Sequence, residues 1–432
     1  MNDEWSVRFR GLAGLRLMLN QRALEVLRNP KLRGLFWTLV DQGVVSAGGF
    51  VVQVALARQL PAVEYGVFAL VFGGLVALGF CITTLLYYPM AVRVSSAGEA
   101  WRRSLLGGSL ILVFMLSVAL SVVLATALAA FGRFDLILPT LAFFLAWQLQ
   151  EGLRRALFGT LWHAAAIAGD AVTYGGNVLI VLGLARSGSL SIESALYGMA
   201  ISAALGAILH ARHLALALPT RSQLSSILND FWSVAGPSSL GNGLFYISPQ
   251  MILPWALAAL SGPAAVAGFQ AATNIINLFN PLFMGLSNIV PQAAARASTQ
   301  GNTRAWQTVR GYALIATPPI VLYSIAILVA PEEILRLFYG TASDYVHLAL
   351  VVRLLILSCV AGFAADTVIL FLLGITSVRR ATAINMAGAA ACALVAFPLI
   401  SLGGLAGGSA TLLLRNLVRL ALARPALVRS LP

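Results

Sequence analysis

Apolar residues gather into twelve runs, at 35–57, 66–90, 105–131, 135–152, 164–185, 193–215, 232–259, 265–291, 309–330, 346–373, 381–400 and 403–422, separated by short polar turns. Most are close to the roughly 20 residues that an α-helix needs to cross a bilayer core. The pattern predicts an all-α membrane protein of about 12 transmembrane helices. The most polar connection between runs, 216–230, contains Pro219, Thr220, Arg221, Ser222 and Gln223 and divides the helices six and six. The expected organisation is a basic N-terminal segment (1–34), an N-lobe (35–216), a linker (217–230), a C-lobe (231–423) and a tail (424–432). Pro61, Ala62, Gly66 and Ala69 recur as Pro263, Ala264, Gly268 and Ala271, 202 positions later, and Gly159, Ala166 and Ala168 recur as Gly374, Ala381 and Ala383, 215 positions later. Both echoes join segments of equal orientation, which predicts two lobes related by a pseudo-two-fold axis along the membrane normal.

Polar residues inside the runs fall at helical spacing. Gln42, Ser46, Gly49 and Gln53 share one face of the first run, and Gln270, Asn274, Asn277 and Asn288 form a wet stripe on the eighth. On the seventh, Asn242 and Tyr246 are four apart, with Pro249 and Pro254 beyond them to bend the helix. A cavity between the lobes is one use for such stripes; hydrogen bonding inside a lobe is the other. Charges within the runs are Asp41, Asp170, Arg353 and Asp366, each of which needs a partner or water. Arg353 and Asp366 are about 20 Å apart along their helix and cannot neutralise each other. Asp41 and Asp366 are candidates for binding a coupling ion, H⁺ or Na⁺, with a satisfied structural acid as the alternative. Arg415 is expected to snorkel to the membrane surface. Gly403, Gly404, Gly407 and Gly408 carry two overlapping Gly-x-x-x-Gly spacings, which favour close helix contact.

Composition agrees: 59% of residues are hydrophobic and 10% charged, and the mean hydropathy is +0.88, which excludes a soluble fold. The 28 basic residues outnumber 15 acidic ones, yet they sit between apolar runs and read as topology signals, so no nucleic-acid partner is expected. With the N-terminus placed in the cytoplasm, 23 basic residues fall on that side and four (Arg58, Arg133, Arg186, Arg336) on the other, which predicts cytoplasmic termini. The first 33 residues interleave arginines with leucines at helical spacing and read either as an amphipathic helix on anionic lipid or as a solvated tail. Lys31 is the only lysine, so no phosphate-binding P-loop exists, and no cofactor is expected. Cys81, Cys359 and Cys392 are dispersed through apolar runs as packing residues. No Ser-His-Asp, carboxylate-pair or metal-hydrolase signature is present, which points away from an enzyme.

The stretch Leu56-Ala57-Arg58-Gln59-Leu60-Pro61-Ala62-Val63-Glu64-Tyr65-Gly66-Val67-Phe68-Ala69 resembles the first-loop signature of Wzx-type polysaccharide flippases. Gly262-Pro263-Ala264-Ala265-Val266 through Pro291, and Arg154-Arg155-Ala156-Leu157-Phe158, are similar to the corresponding segments of that family. The resemblance runs from about residue 35 to 422 and implies a multidrug, oligosaccharidyl-lipid and polysaccharide exporter superfamily protein. Such a protein moves a polyprenyl-pyrophosphate-linked oligosaccharide across the bacterial inner membrane by alternating access. Membrane lipids, a glycan polymerase and a chain-length regulator are the partners it implies. For that substrate the pyrophosphate needs cations, and Arg93, Arg353 and Arg58 are spaced along the path. Arg93, following Tyr87, Tyr88 and Pro89, is the preferred capture site; an arginine that only retains the helix topologically is the alternative. The aromatic rings of Tyr87 and Tyr88 are expected to contact sugar or lipid. A drug or toxic-cation extruder of the same superfamily is the runner-up, followed by an integral-membrane enzyme of a glycan pathway.

Overall fold

The computed structural model describes residues 30–160 and 162–431, apart from the side chains of 30–36, 38–39, 95–96, 234, 236–252 and 288. The expected N-terminal amphipathic helix lies outside the described residues. Twelve helical rods follow: α1 (Pro30–Gln59), α2 (Ala62–Ile82, a widened turn at Thr83–Tyr87, then Tyr88–Ser96), α3 (Glu99–Ala130), α4 (Ile137–Gly159), α5 (His163–Arg186) and α6 (Ile192–Ala211), then α7 (Arg221–Ser261), α8 (Pro263–Ile276, a 3-10 turn at Asn277–Phe279, then Asn280–Ser298), α9 (Asn302–Val329), α10 (Ala349–Gly374), and α11 and α12, which together occupy Val378–Val428. The last two part at Gly404, whose φ of 51° only glycine adopts without strain. The widened turn of α2 precedes Pro89 and the 3-10 turn of α8 precedes Pro281; each proline lacks the N–H that regular helix would use. The chain is a multi-pass α-helical membrane protein.

Helix α7 begins within the 217–230 linker, at Arg221, because Thr220 and Gln223 form a reciprocal capping box (Gln223 N to Thr220 Oγ1 3.3 Å, Thr220 N to Gln223 Oε1 2.9 Å). At 41 residues α7 is about 60 Å long, twice the thickness of a bilayer core. The tail is likewise structured: α12 continues to Val428, and Ser430 accepts from Asn302 Nδ2 (2.9 Å, to the carbonyl) and from Arg380 Nη1 (2.7 Å, to Oγ).

Helix neighbours repeat between the halves. In the first, α5 packs on α1 and α6, and α6 packs on α4; in the second, the α11–α12 rod packs on α7 and on α10. The 215-residue echo extends to chemistry, since Glu151 and Asp170 on α4 and α5 correspond to Asp366 and Asn385 on α10 and α11. The halves meet along α1, α2, α7 and α8. Where α2 crosses α8, a Cβ at Gly66 would lie 1.8 Å from the Pro263 carbonyl oxygen, so the two echoed turns touch and position 66 admits only glycine. The predicted small-residue contacts of the C-lobe take a related form: Gly407 lies against the backbone of Leu399, and Gly408 against Leu257.

Candidate functional site

The face of the bundle that carries the α1–α2 and α7–α8 turns is called the turn face below. Between the lobes, beneath this face, lies a cavity of about 670 Å³. Gln42, Ser46, Gly49 and Gln53 line it from α1, and Gln270, Asn274 and Asn277 from α8, so these parts of the two stripes face the same space; the side chain of Asn288 lies outside the described residues. Gln42 Nε2 donates to Ser46 Oγ at 3.2 Å. Thr173, Tyr174 and Asn177 of α5, which packs beside α1, also line it, as does an aromatic stack in which Trp147 lies 5.7 Å from Phe143 and 6.1 Å from Phe72. No charged side chain lines the cavity among the described residues.

A chain of hydrogen bonds crosses the lobes at the turn-face end. Gln270 Nε2 donates to Asn274 Oδ1 (2.8 Å), Asn274 Nδ2 to the hydroxyl of Tyr65 (2.9 Å), and Tyr65 in turn to Gln53 Oε1 (3.1 Å). Tyr345 stands edge-on to both Tyr65 and Tyr339, and Tyr339 donates to the Ala271 carbonyl at 2.8 Å. Phe50 of α1 meets Phe338 at 5.2 Å, and Phe338 belongs to a short helix, Pro331–Tyr339, lying between α9 and α10. The cavity is therefore closed on this side by tyrosines and amides from both lobes.

Behind the α1–α5 wall sits a buried ionic cluster. Arg154 of α4 donates through Nε to Asp170 Oδ2 (2.5 Å), through Nη2 to Asp41, and through Nη1 to Glu151 Oε2 (3.0 Å); Arg155 Nε reaches Glu151 Oε1 at 2.6 Å. Gln150 Nε2 donates to Asp170 Oδ1 at 2.6 Å, and His210 Nε2 lies 3.8 Å from that oxygen and 2.9 Å from the Ala166 carbonyl. Three carboxylates meet two guanidiniums, and Asp41 Oδ1 is buried without a hydrogen-bond partner. The C-lobe holds a counterpart: Arg419 donates to Asp366, to Asn385 Oδ1 (3.1 Å) and to Asn416 Oδ1 (3.0 Å). Arg415, one turn away, is half-buried, its Nε buried and without a hydrogen-bond partner, and its carbonyl lies close to Gly388 of α11.

Other sequence-derived candidates lie elsewhere. Arg93 forms a two-pronged pair with Asp230 of α7 (Nε to Oδ2 2.7 Å, Nη2 to Oδ1 2.6 Å), joining the lobes on the α2–α7 seam away from the cavity. Arg353 Nε donates to the Leu328 carbonyl at 3.1 Å, and Arg58 is exposed beside Gly340. Tyr87 is buried, its hydroxyl donating to the Gln148 backbone carbonyl (2.7 Å) and to Gln148 Oε1 (3.0 Å), whereas Tyr88 is exposed. The side chains of Asn242 and Tyr246 lie outside the described residues. The sequence analysis counts Arg154 only as a topology signal and passes over Thr173 and Asn177, which stand at i+3 and i+7 from Asp170 on an otherwise apolar helix.

No sequence family and no curated relative matches this chain. Among solved structures it is similar to an inward-facing conformation of a multidrug resistance MATE family transporter of the MOP superfamily, with a TM-score of 0.74 at 16% identity over 90% of this chain and 95% of that one. It is also similar to the lipid II flippase MurJ in an inward closed conformation (TM-score 0.71, 12% identity, 92% and 88% covered). A third neighbour is a MOP superfamily transporter from Pyrococcus furiosus Vc1 whose binding pocket is described as having reverse polarity (TM-score 0.67, 17% identity, 94% and 97% covered). At these identities the likeness establishes the fold.

Proposed function

We propose that this chain is a transporter that flips a polyprenyl-pyrophosphate-linked oligosaccharide across the bacterial inner membrane by alternating access, with both termini in the cytoplasm. The observation that carries the reading is the lining of the interlobe cavity: amides, hydroxyls and stacked aromatic rings, with Asp41 and Asp170 paired with Arg154 behind the α1–α5 wall and Asp366, half-exposed at a separate crevice of the C-lobe, paired with Arg419. Amide groups pair with sugar hydroxyls as donors and acceptors, and ring faces cover the apolar faces of sugars. A cationic drug instead calls for an exposed carboxylate or an open aromatic cage. The shared fold makes drug extrusion the second reading, and an enzyme of glycan synthesis has less support because no nucleophile–base pair faces the cavity among the described residues. A glycan polymerase and a chain-length regulator would act on the product.

Coupling in this reading belongs to the N-lobe cluster. One carboxylate exceeds the available guanidiniums where dielectric screening is weak, and Asp41 Oδ1 is vacant, so a proton fits the imbalance better than Na⁺, which the neighbouring Arg154 repels. Asp366 is the second candidate. Proteoliposomes carrying Asp41→Asn or Asp366→Asn test this: proton-driven transport should vanish in the first with folding intact, and full transport in both removes these acids from the mechanism.

A further inference from the structure

A second crevice opens on the opposite seam, where α2 and α3 of one lobe face α7 of the other, with a volume of about 370 Å³. Its walls are apolar, from Val67, Leu70 and Gly74 to Leu128 and Ala259, and Phe131 and Trp255 close its side with ring centroids 5.4 Å apart across the seam. From Val67 to Gly74 it follows α2 for about 10 Å into the hydrocarbon layer, where acyl chains are the solvent. Arg133 stands at its rim on the turn face, held by Glu64 (3.2 Å) and by Asp135 (2.8 Å). Two carboxylates against one guanidinium leave one negative charge in excess, and both acids are accessible, with 39% and 50% of their side chains exposed.

We propose that this crevice binds a phospholipid of the turn-face leaflet, one hydrocarbon chain lying between the lobes, and that Glu64 and Asp135 select a headgroup bearing a primary ammonium. Location dictates the chain. The rim charge dictates the head: an N–H-bearing ammonium makes charge-assisted hydrogen bonds to carboxylates, a quaternary ammonium cannot, and a bare phosphate or pyrophosphate is repelled. Since the walls come from both lobes, the lipid bridges them in this conformation. The proposal does not depend on the identity of the transported substrate.

Native mass spectrometry of the full chain, exchanged into equimolar phosphatidylethanolamine, phosphatidylcholine and phosphatidylglycerol of matched acyl chains, reads the preference directly. Phosphatidylethanolamine should be retained about threefold over phosphatidylcholine, the size expected of partly exposed ion pairs. Glu64→Gln with Asp135→Asn should erase that preference and turn it toward phosphatidylglycerol, because Arg133 is then unneutralised. Ala259→Leu, on the exposed wall of α7, should lower retention of all three by filling the crevice. Gel filtration confirms that each variant is folded, and Glu64→Gln alone, with half the charge removed, carries the readout if the double variant aggregates. Equal retention by the wild type, an unchanged ratio in the neutralised variants, unchanged binding in Ala259→Leu, or preferential capture of an added prenyl pyrophosphate would each overturn the proposal.

Discussion

The amide of Asn274 donates to the hydroxyl of Tyr65 across 2.9 Å and thereby joins α8 of one lobe to α2 of the other above the cavity. Tyr65 is fully buried and passes the contact on to Gln53. Tyr65→Phe keeps the ring and breaks both links. An interhelical hydrogen bond in a membrane contributes about 0.6–1.7 kcal/mol, so closure of the turn face should weaken by about 3- to 18-fold. A cysteine at position 46, in a background lacking Cys81, Cys359 and Cys392, should react correspondingly faster with an impermeant maleimide from the turn face. An unchanged rate would show that the tyrosine hydroxyl plays no part in the closure.

Arg154 should matter more to folding than any other single charge described. It neutralises Asp41 and Asp170, whose carboxylates are 1% and 0% exposed, and removing one partner of a buried ionic cluster costs on the order of 3–5 kcal/mol. Arg154→Gln should lower the thermal unfolding temperature sharply in detergent, and adding Asp170→Asn should restore part of the loss. A single variant as stable as the wild type would contradict the cluster's structural role.

For Arg93 the structure offers a partner the sequence did not, Asp230, and both side chains are about 40% exposed, so the pair adds at most about 1 kcal/mol of stability. Its effect should be seen in transport. If it latches the lobes, Arg93→Asp and Asp230→Arg should each impair transport and the double exchange should recover it. If Arg93 instead captures pyrophosphate, Asp230→Asn should be active, Arg93→Lys impaired, and the exchange should rescue nothing.

Orientation is testable at two exposed serines, Ser189 and Ser222. The basic-residue asymmetry places the first outside and the second inside. Single cysteines there should label with an impermeant reagent in intact cells at 189 and not at 222; the reverse pattern would invert the topology.

The twelve spans, the division after the sixth and both cavity stripes were legible because each rests on local periodicity: apolar length for the helices, i and i+4 spacing for Gln42–Ser46 and Gln270–Asn274. Pairing was not legible. Arg93 and Asp230 are separated by 137 residues, Asp41 and Arg154 by 113, and nothing in either neighbourhood names the other. Arg154 was hidden by its position, since an arginine at the end of an apolar run has the same appearance whether it anchors a helix or turns inward to buried acids. The tyrosine closure was missed for a similar reason, because Tyr65, Tyr339 and Tyr345 converge from three separate elements. The 215-residue echo consists in the sequence of glycines and alanines, and only the two polar clusters single out Glu151 and Asp170 as the counterparts of Asp366 and Asn385.

In the proposed function the amide and aromatic cavity receives the glycan of a lipid-linked substrate. The most direct test of this is transbilayer movement, in proteoliposomes, of a fluorescent prenyl-pyrophosphate oligosaccharide compared with the same prenyl pyrophosphate without sugar and with a lipophilic cation. The wild type should move the glycosylated lipid fastest, and Gln270→Ala and Asn277→Ala should slow it about tenfold or more while leaving the slower bare lipid unaffected, since each removes polar groups that pair with sugar hydroxyls. Preferential movement of the cation, or equal movement of both lipids with and without these amides, would contradict it.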